Sequence, residues 1–242
     1  MSGWHTTEPQ SGLRQFVAAP DAAVDGSVDE ASGQQLWECA VDLVSYLASA
    51  AGADLVRGRR VLELGCGHGL PGVWCLTRGE ARSVTLQDNS AQVLRKITAQ
   101  SLALNATAEQ CERASFVSGD WRELASDSCS LFEPPFDVVL GAECVYSPES
   151  TSAFVAALRR ALAPDGVAFV ATKTFYFGVG GGTLALKLAL EQSAAADSER
   201  VLHMESIMQY ADFKSNVREL LKVWWAEPSS NGADKENHRS EV

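Results

Sequence analysis

A doubly wound, largely parallel α/β sheet is the fold that this 242-residue sequence predicts, and three observations predict it. Strand-like and helix-like patterns alternate along the chain, as they do in β-α-β units. Val167–Thr172 is continuously apolar, as strands are when helices cover both faces of a sheet. Arg60–Leu64 runs straight into a glycine-rich turn, and ligands of such sheets lie beyond the carboxyl ends of the strands. A composition of 46% hydrophobic and 21% charged residues belongs to a globular chain and excludes global disorder.

The elements follow in order. Residues 1–31 are rich in Ala, Gly, Ser and acids and read as a flexible arm that can order over a site. Gln34–Ala51 puts apolar residues at 36, 40, 43, 44, 47 and 51, one face of a helix. Arg60–Leu64 is a strand, and the turn behind it opens a helix near Leu70. Ser83–Gln87 is a strand, followed by a helix over Ala91–Asn105 with apolar residues at 93, 94, 97, 102 and 104. Ala114–Ser118 and Phe136–Leu140 are further strands. Thr151–Ala163 reads as a helix closed by the turn Pro164-Asp165-Gly166, before the strand Val167–Thr172. Val201–Met208 and Arg218–Trp225 carry weaker strand patterns. Residues 228–242 are polar and read as a disordered tail, which leaves 32–227 as one domain.

Charge and cysteine usage exclude several function classes. With 20 Lys+Arg against 31 Asp+Glu the net charge is −11, so direct nucleic acid binding, which needs dense cations, is not expected. The acid surplus suits a basic partner, or solubility alone. The six cysteines (39, 66, 75, 111, 129 and 144) form no C-x-x-C pair and have no histidine at metal spacing. Neither a disulfide framework nor a metal site is expected, and reduced thiols fit a cytoplasmic or nuclear protein, or both. No apolar run reaches the ~18 residues that span a bilayer, and the first residues lack a signal-peptide pattern. No membrane association is expected.

The sharpest local signal is Val61-Leu-Glu63-Leu-Gly65-Cys-Gly67-His-Gly69-Leu-Pro-Gly72. Glycines there permit positive φ and let a ligand approach the backbone. The spacing is G-x-G-x-G, with leucine at position 70 where the dinucleotide fingerprint needs its third glycine. No phosphate-directed lysine follows, so a P-loop is excluded. Asp88 closes the second strand about 20 residues past the middle glycine, where a carboxylate accepts from both ribose hydroxyls. Asp120, in Gly119-Asp120-Trp121 after the third strand, is placed to receive an adenine amino group while Trp121 packs nearby. Together these features read as binding of S-adenosylmethionine.

At these residues the sequence resembles class I, seven-strand methyltransferases with a Rossmann-like sheet, over roughly residues 34 to 226. It resembles more narrowly the protein-histidine methyltransferase family. The residues that carry this are Leu36-Trp37-Glu38-Cys39, Gln87-Asp88-Asn89, Gly119-Asp120-Trp121, Ala142-Glu143-Cys144-Val145-Tyr146 and the run Lys173-Thr-Phe-Tyr176-Phe177-Gly178-Val-Gly-Gly-Gly182. That family sits in a broader group containing protein lysine methyltransferases, with which it shares the acid-x-x-Tyr motif, here Glu143 and Tyr146. The resemblance implies seven strands, mostly parallel, with the last strand antiparallel. It implies that Leu36, Trp37 and Glu38 line the methionine end of the cofactor. Gly65, Gly67, Asp88, Asn89, Gly119, Asp120, Trp121 and Ala142 supply the rest. It also implies a protein substrate, among which is a basic ribosomal protein of the large subunit; a monomer is expected.

Methyl transfer from a sulfonium is an in-line displacement, catalysed mainly by positioning and water exclusion. A histidine acceptor, with an ordinary pKa near 6.5, is mostly neutral at physiological pH, whereas lysine, near 10.4, must first lose a proton. The expected catalytic residues are Glu143, Tyr146 and Tyr176. Glu143, or a backbone carbonyl near it, is the candidate that bonds the imidazole N–H; the other reading is that it caps the turn or holds Tyr146. Tyr176 and Phe177 either wall the substrate ring or pack under the sheet edge, with Gly178–Gly182 admitting a peptide backbone. His68 reads as a solvent-facing residue of the glycine turn, with a catalytic base as the lesser reading. Lys173 either ends its strand or stands beside the cofactor carboxylate. One ring of Trp224-Trp225 is expected in the core and one partly exposed.

Overall fold

The structure, a computed structural model, describes residue 33 and residues 35–196, 200–211 and 216–226. The expected arm over 1–31 and tail over 228–242 lie outside the described residues. Seven strands form one sheet: β1 (Arg60–Leu64), β2 (Ser83–Asp88), β3 (Ala114–Ser118), β4 (Phe136–Ala142), β5 (Leu162–Lys173), β6 (Leu202–Tyr210) and β7 (Arg218–Trp225). Their order is β3-β2-β1-β4-β5-β7-β6. From β3 through β5 all neighbours pair in parallel, Arg60 beside Ser83 among them. β7 runs antiparallel between β5 and β6. The order reverses between β1 and β4, which opens a crevice at their carboxyl ends.

Strand residues point alternately to two cores. Val61, Val138 and Leu140 face one side with Leu43, Leu47 and Val73, from helices α1 (Glu38–Leu47) and α2 (Leu70–Thr77). Leu62, Leu64 and Val139 face the other with Phe154, Leu158 and Leu186, from α7 (Pro148–Ala161) and α8 (Thr183–Ala196). Because both faces are covered, the central strands are apolar at almost every position. Each buried leucine there contributes about 1.5–3 kcal/mol of transfer free energy.

Several elements differ from the sequence expectation, each for a local reason. Helix α1 buries Cys39, Leu43, Val44 and Leu47 and leaves Ala40 half-buried. It stops before Ala51 because the chain folds back so tightly that a Cβ on Gly52 would stand 2.2 Å from the Tyr46 carbonyl oxygen. Helix α7 starts at Pro148 rather than 151, behind a capping box formed by Ser147 and Ser150. The turn expected at Pro164–Gly166 is a bulge inside β5: Phe136 pairs with Leu162, and the register resumes with Val138 opposite Val167. The segment over 91–105 divides into α3 (Ala91–Val93), a π-helical turn (Leu94–Thr98) and α4 (Ala99–Asn105). Short helices α5 (Ala108–Cys111) and α6 (Trp121–Leu124) flank β3. Helix α8 has no helical signature in sequence, since leucines at 184, 186, 188 and 190 repeat every second residue. Only Leu186 and Leu190, one turn apart, are buried. Both Trp224 and Trp225 are half-buried, where one core ring was expected. Cations cover part of each: Lys222 over Trp224, and Arg159 and Arg200 over Trp225.

Candidate active site

The cleft is built first from the turn that leaves β1. Gly65 adopts a φ of 62°, and a Cβ there would lie 3.0 Å from Cys144 Sγ and 3.1 Å from the Trp121 ring. Behind the turn, Glu63 is fully buried and its Oε2 accepts the Gly72 N–H at 2.7 Å, tying β1 to the first turn of α2. Burial pushes the Glu63 carboxyl up to about 8, so it is largely protonated at neutral pH. Thr98, in the π-helical turn, donates its hydroxyl to the Gly67 carbonyl at 2.6 Å. That contact gives the π-helical turn a role at the site.

The carboxyl end of β2 holds the turn from the other side. Asp88 accepts the Gly67 N–H at 2.9 Å through Oδ2 and the Ser90 N–H at 3.0 Å through Oδ1. Gln87, fully buried, accepts from the Gly65 N–H at 3.2 Å and from Trp121 Nε1 at 2.7 Å, and donates to the Gly119 carbonyl at 2.9 Å. One amide therefore fixes the β1 turn, the loop after β3 and the indole that walls the cleft. No reading of the sequence assigned Gln87 this role. The signal available was a polar residue at the end of an otherwise apolar strand. Asp120 caps α6, accepting the Arg122 N–H at 2.7 Å, while its other oxygen stands 3.8 Å from the Arg122 guanidinium.

A compact cluster closes the opposite end. Glu143 leaves β4 with a φ of 57°, a left-handed conformation costly for a non-glycine residue. Its carboxylate turns inward: Oε2 accepts the Tyr176 hydroxyl, and Oε1 faces Lys173 Nζ at 3.4 Å. The Lys173 ammonium also stands 3.7 Å from Glu38 and lies over the rings of Trp37, at 5.4 Å, and Tyr176, at 5.6 Å. Burial, then the Glu143 charge, raises the Tyr176 phenol well above its ordinary value, and the same causes keep Cys39 a neutral thiol.

The glycine-rich loop after β5 is bound to this cluster. The Gly181 and Gly182 N–H groups donate to the carbonyls of Tyr146 (3.1 Å) and Val145 (2.8 Å). A Cβ on Gly181 would fall 2.1 Å from the Tyr146 carbonyl carbon. These two glycines serve contact within the chain rather than with a peptide; Gly178 and Gly180 stay exposed. Phe177 points away from the cleft and is 77% exposed, stacked edge-on against Phe175. It neither packs under the sheet nor walls the site.

These parts enclose one cleft of about 570 Å³. Leu36, Trp37, Ala142, Glu143, Tyr146 and Tyr176 line its end at β4 and β5. Gly65, Gly67, Asp88, Asn89, Gly119, Asp120 and Trp121 line the rest. Glu38 does not reach it and stands exposed outside Lys173, which does line it. His68, expected in solvent, is buried at 5% exposure and lines the cleft. Among the described residues no group of His, Cys, Asp and Glu could hold a metal ion, and no helix is long and apolar enough to cross a membrane. All six cysteines are free thiols.

A sheet in this order, with a glycine turn after β1 and carboxylates after β2 and β3, defines a class I S-adenosylmethionine-dependent methyltransferase. A profile described as lysine methyltransferase matches residues 20–176, and the chain belongs to that family. It is 34% identical, over 79% of its length and 57% of the relative's, to the histidine protein methyltransferase 1 homologue of Dictyostelium discoideum. The Bos taurus homologue is 32% identical over 66% of this chain and 48% of its own. The chain spans about half the length of these curated relatives. The methyltransferase domain of bacterial CtHen1 shares the fold, with a TM-score of 0.54 at 15% identity, over 76% of this chain and 97% of that one. The cofactor is S-adenosylmethionine, and the cleft fits it: Asp88 and Asp120 stand at one end and the Lys173 cation at the other.

Proposed function

We propose that this chain transfers a methyl group to a histidine side chain of a protein substrate. One observation carries the choice of acceptor. Each carboxylate lining the interior of the cleft is already engaged by the chain's own donors: Glu63 by Gly72, Asp88 by Gly67 and Ser90, and Glu143 by Tyr176 and Lys173. Among the described residues, no carboxylate of that interior is without a donor or a cation beside it to hinder its taking a proton from an ammonium group, and a neutral imidazole needs no such base. The names of the two relatives above agree with this reading. The family description names lysine instead, and protein lysine methylation is the second reading.

S-adenosylmethionine supplies an electrophilic methyl group when bound. The residues of this chain do the rest. Asp88 and Asp120 stand where ribose hydroxyls and the adenine amine would be received, with Asn89, Gly119, Trp121 and Ala142 forming walls between. Lys173, held among Glu143, Trp37 and Tyr176, presents a fixed cation for the cofactor's carboxylate. Glu143 acts through Tyr176, whose hydroxyl oxygen offers an acceptor for the distal N–H of an imidazole and so selects its tautomer. Leu36, Trp37 and Tyr146 exclude water around the acceptor.

The substrate is proposed to be basic, in the manner of a ribosomal protein, and to meet a monomeric enzyme in the cytoplasm or nucleus. Exposed Glu38 and Glu149, with half-exposed Asp120, supply an acidic rim for Lys/Arg flanks. The test is tritiated methyl transfer into an extract lacking the enzyme, followed by acid hydrolysis of the labelled band. Methylhistidine is expected; methyl-lysine reverses the order of the two readings, and absence of any label removes both.

A further inference from the structure

Exposed apolar side chains are not spread evenly over this chain. Of the eleven large hydrophobic residues exposed among those described, five belong to the loop after β5 or to residues hydrogen-bonded to it. Phe175, Phe177 and Val179 lie in the loop itself. The Tyr146 carbonyl accepts the Gly181 N–H, and the Val217 carbonyl accepts the Thr174 N–H at 2.9 Å. Tyr146 and Val179 also line the cleft, whereas Phe175 and Phe177 do not, so the apolar patch begins at the mouth of the cleft and continues outside it. Its tip is open: a Cβ on Gly178 would meet nothing within 4 Å.

The backbone holds the two phenylalanines out. Tyr176 is drawn inward by its bond to Glu143, and its chain neighbours Phe175 and Phe177 stand on the exposed side. The segment has little freedom to fold them under. The Tyr176 carbonyl accepts the N–H groups of Val179 (3.2 Å) and Gly180 (3.0 Å), and the Tyr176 N–H donates to the Gly181 carbonyl at 3.3 Å. Asn216 Nδ2 donates to the Phe175 carbonyl at 2.9 Å. The two rings stack edge-on, 5.2 Å apart, and so fix each other. Aromatic side chains ordered before binding lose little freedom when a partner covers them, which is why they serve as anchors of recognition surfaces.

We infer that the Phe175–Phe177 pair docks an apolar side chain of the polypeptide substrate, a few residues from the one that is methylated. Continuity with the cleft selects this occupant: for a chain whose acceptor lies beside Tyr146 and Tyr176, the loop is the next surface it meets. Phe177 is one residue, about 3.8 Å, from Tyr176. With the reach of the side chains added, the contact falls about two to four residues from the acceptor, at about 3.3 Å per extended residue. The loop over 174–182 carries no charged residue, so it selects an apolar side chain where exposed Glu38 and Glu149 select cations. The inference rests on the reading that the substrate is a polypeptide, and not on which amino acid accepts the methyl group.

The experiment measures fluorescence anisotropy of two fluorescein-labelled peptides with the full chain and S-adenosylhomocysteine. One is Lys-Phe-Gly-Lys-His-Lys-Gly-Phe-Lys, and the other has serine in place of both phenylalanines. The wild-type chain should bind the first at least fivefold more tightly. Phe175→Ser/Phe177→Ser should abolish that preference and keep the cofactor affinity measured by calorimetry, since neither ring lines the cleft. Phe177→Ser alone, at a position 77% exposed, should lose most of the preference and covers the case of a double variant that unfolds. Leu131→Ser, at an exposed apolar residue ahead of β4 and outside the loop, should leave it unchanged. Equal wild-type affinity for the two peptides, or a preference that survives in the phenylalanine variants, would overturn the inference. Dimerisation of the wild type in sedimentation velocity that Phe177→Ser abolishes would assign the patch to a second copy and overturn it as well. A preference that holds while the methyl label falls on lysine would support the docking site and remove only the histidine reading.

Discussion

Replacing Glu63 by glutamine should turn a pH-sensitive protein into a less sensitive one. The carboxyl is buried beneath the glycine turn and holds its proton to about pH 8, against an ordinary value of 4.5. The unfolded chain releases that proton from about 4.5 upward, so over this window the folded state binds more protons than the unfolded state. Stability from this group is therefore complete below 4.5, declines as pH rises and is lost above about 8. A proton held to about 8 instead of 4.5 corresponds to about 5 kcal/mol at 1.36 kcal/mol per pH unit, and structural relaxation brings the expected fall to about 2–4 kcal/mol. Glutamine keeps an oxygen for the Gly72 N–H and does not ionise. Urea unfolding at pH 5, 6.5 and 8 should show wild type losing stability across the series and Glu63→Gln losing about 2–4 kcal/mol less. Cofactor affinity should follow, because the same bond holds the opening of α2. Parallel stability curves for the two proteins would refute the reasoning.

Three further outcomes are expected. Asp88→Ala should weaken cofactor binding by calorimetry and also lower Tm, since the two N–H bonds it accepts are each worth about 1.5–3 kcal/mol before water compensates. Unchanged affinity removes Asp88 from the site. Glu143→Gln should reduce kcat more than cofactor affinity, because its partners are Tyr176 and Lys173 rather than the glycine turn; equal losses would place it in the cofactor's shell. Peptides with histidine between basic residues should show higher kcat/KM than neutral analogues at low salt, with the advantage shrinking once the Debye length falls to about 8 Å; equal values at low salt would leave selection to shape.

Much of the fold was legible because burial on two faces writes itself into sequence. Val61-Leu62 and Val138-Val139-Leu140 alternate between two cores, so each strand is apolar throughout and its limits are sharp. Helix α8 was not legible, because its partners bury only two of its four leucines and set no period along the chain. The bulge at 163–166 was read as a turn, because local chemistry for the two is the same and only pairing with β4 distinguishes them.

The site divides in the same way. By itself the sequence determined what backbone and chain order dictate: a glycine turn after β1, carboxylates closing β2 and following β3, and an acid leading the loop after β4. Those positions follow from strand order, and each lines the cleft. Tertiary structure decided the partners of each side chain. It set Gln87 across three loops, turned Glu143 inward onto Tyr176 and Lys173, buried His68 and left Glu38 outside. It also spent Gly181 on the Tyr146 backbone rather than on a substrate. The physical reason is distance along the chain. A turn or a strand end is fixed by neighbours within a few residues. Glu143 and Tyr176, 33 positions apart, are brought together only when β4 and β5 pair, and their hydrogen bond exists in no local pattern.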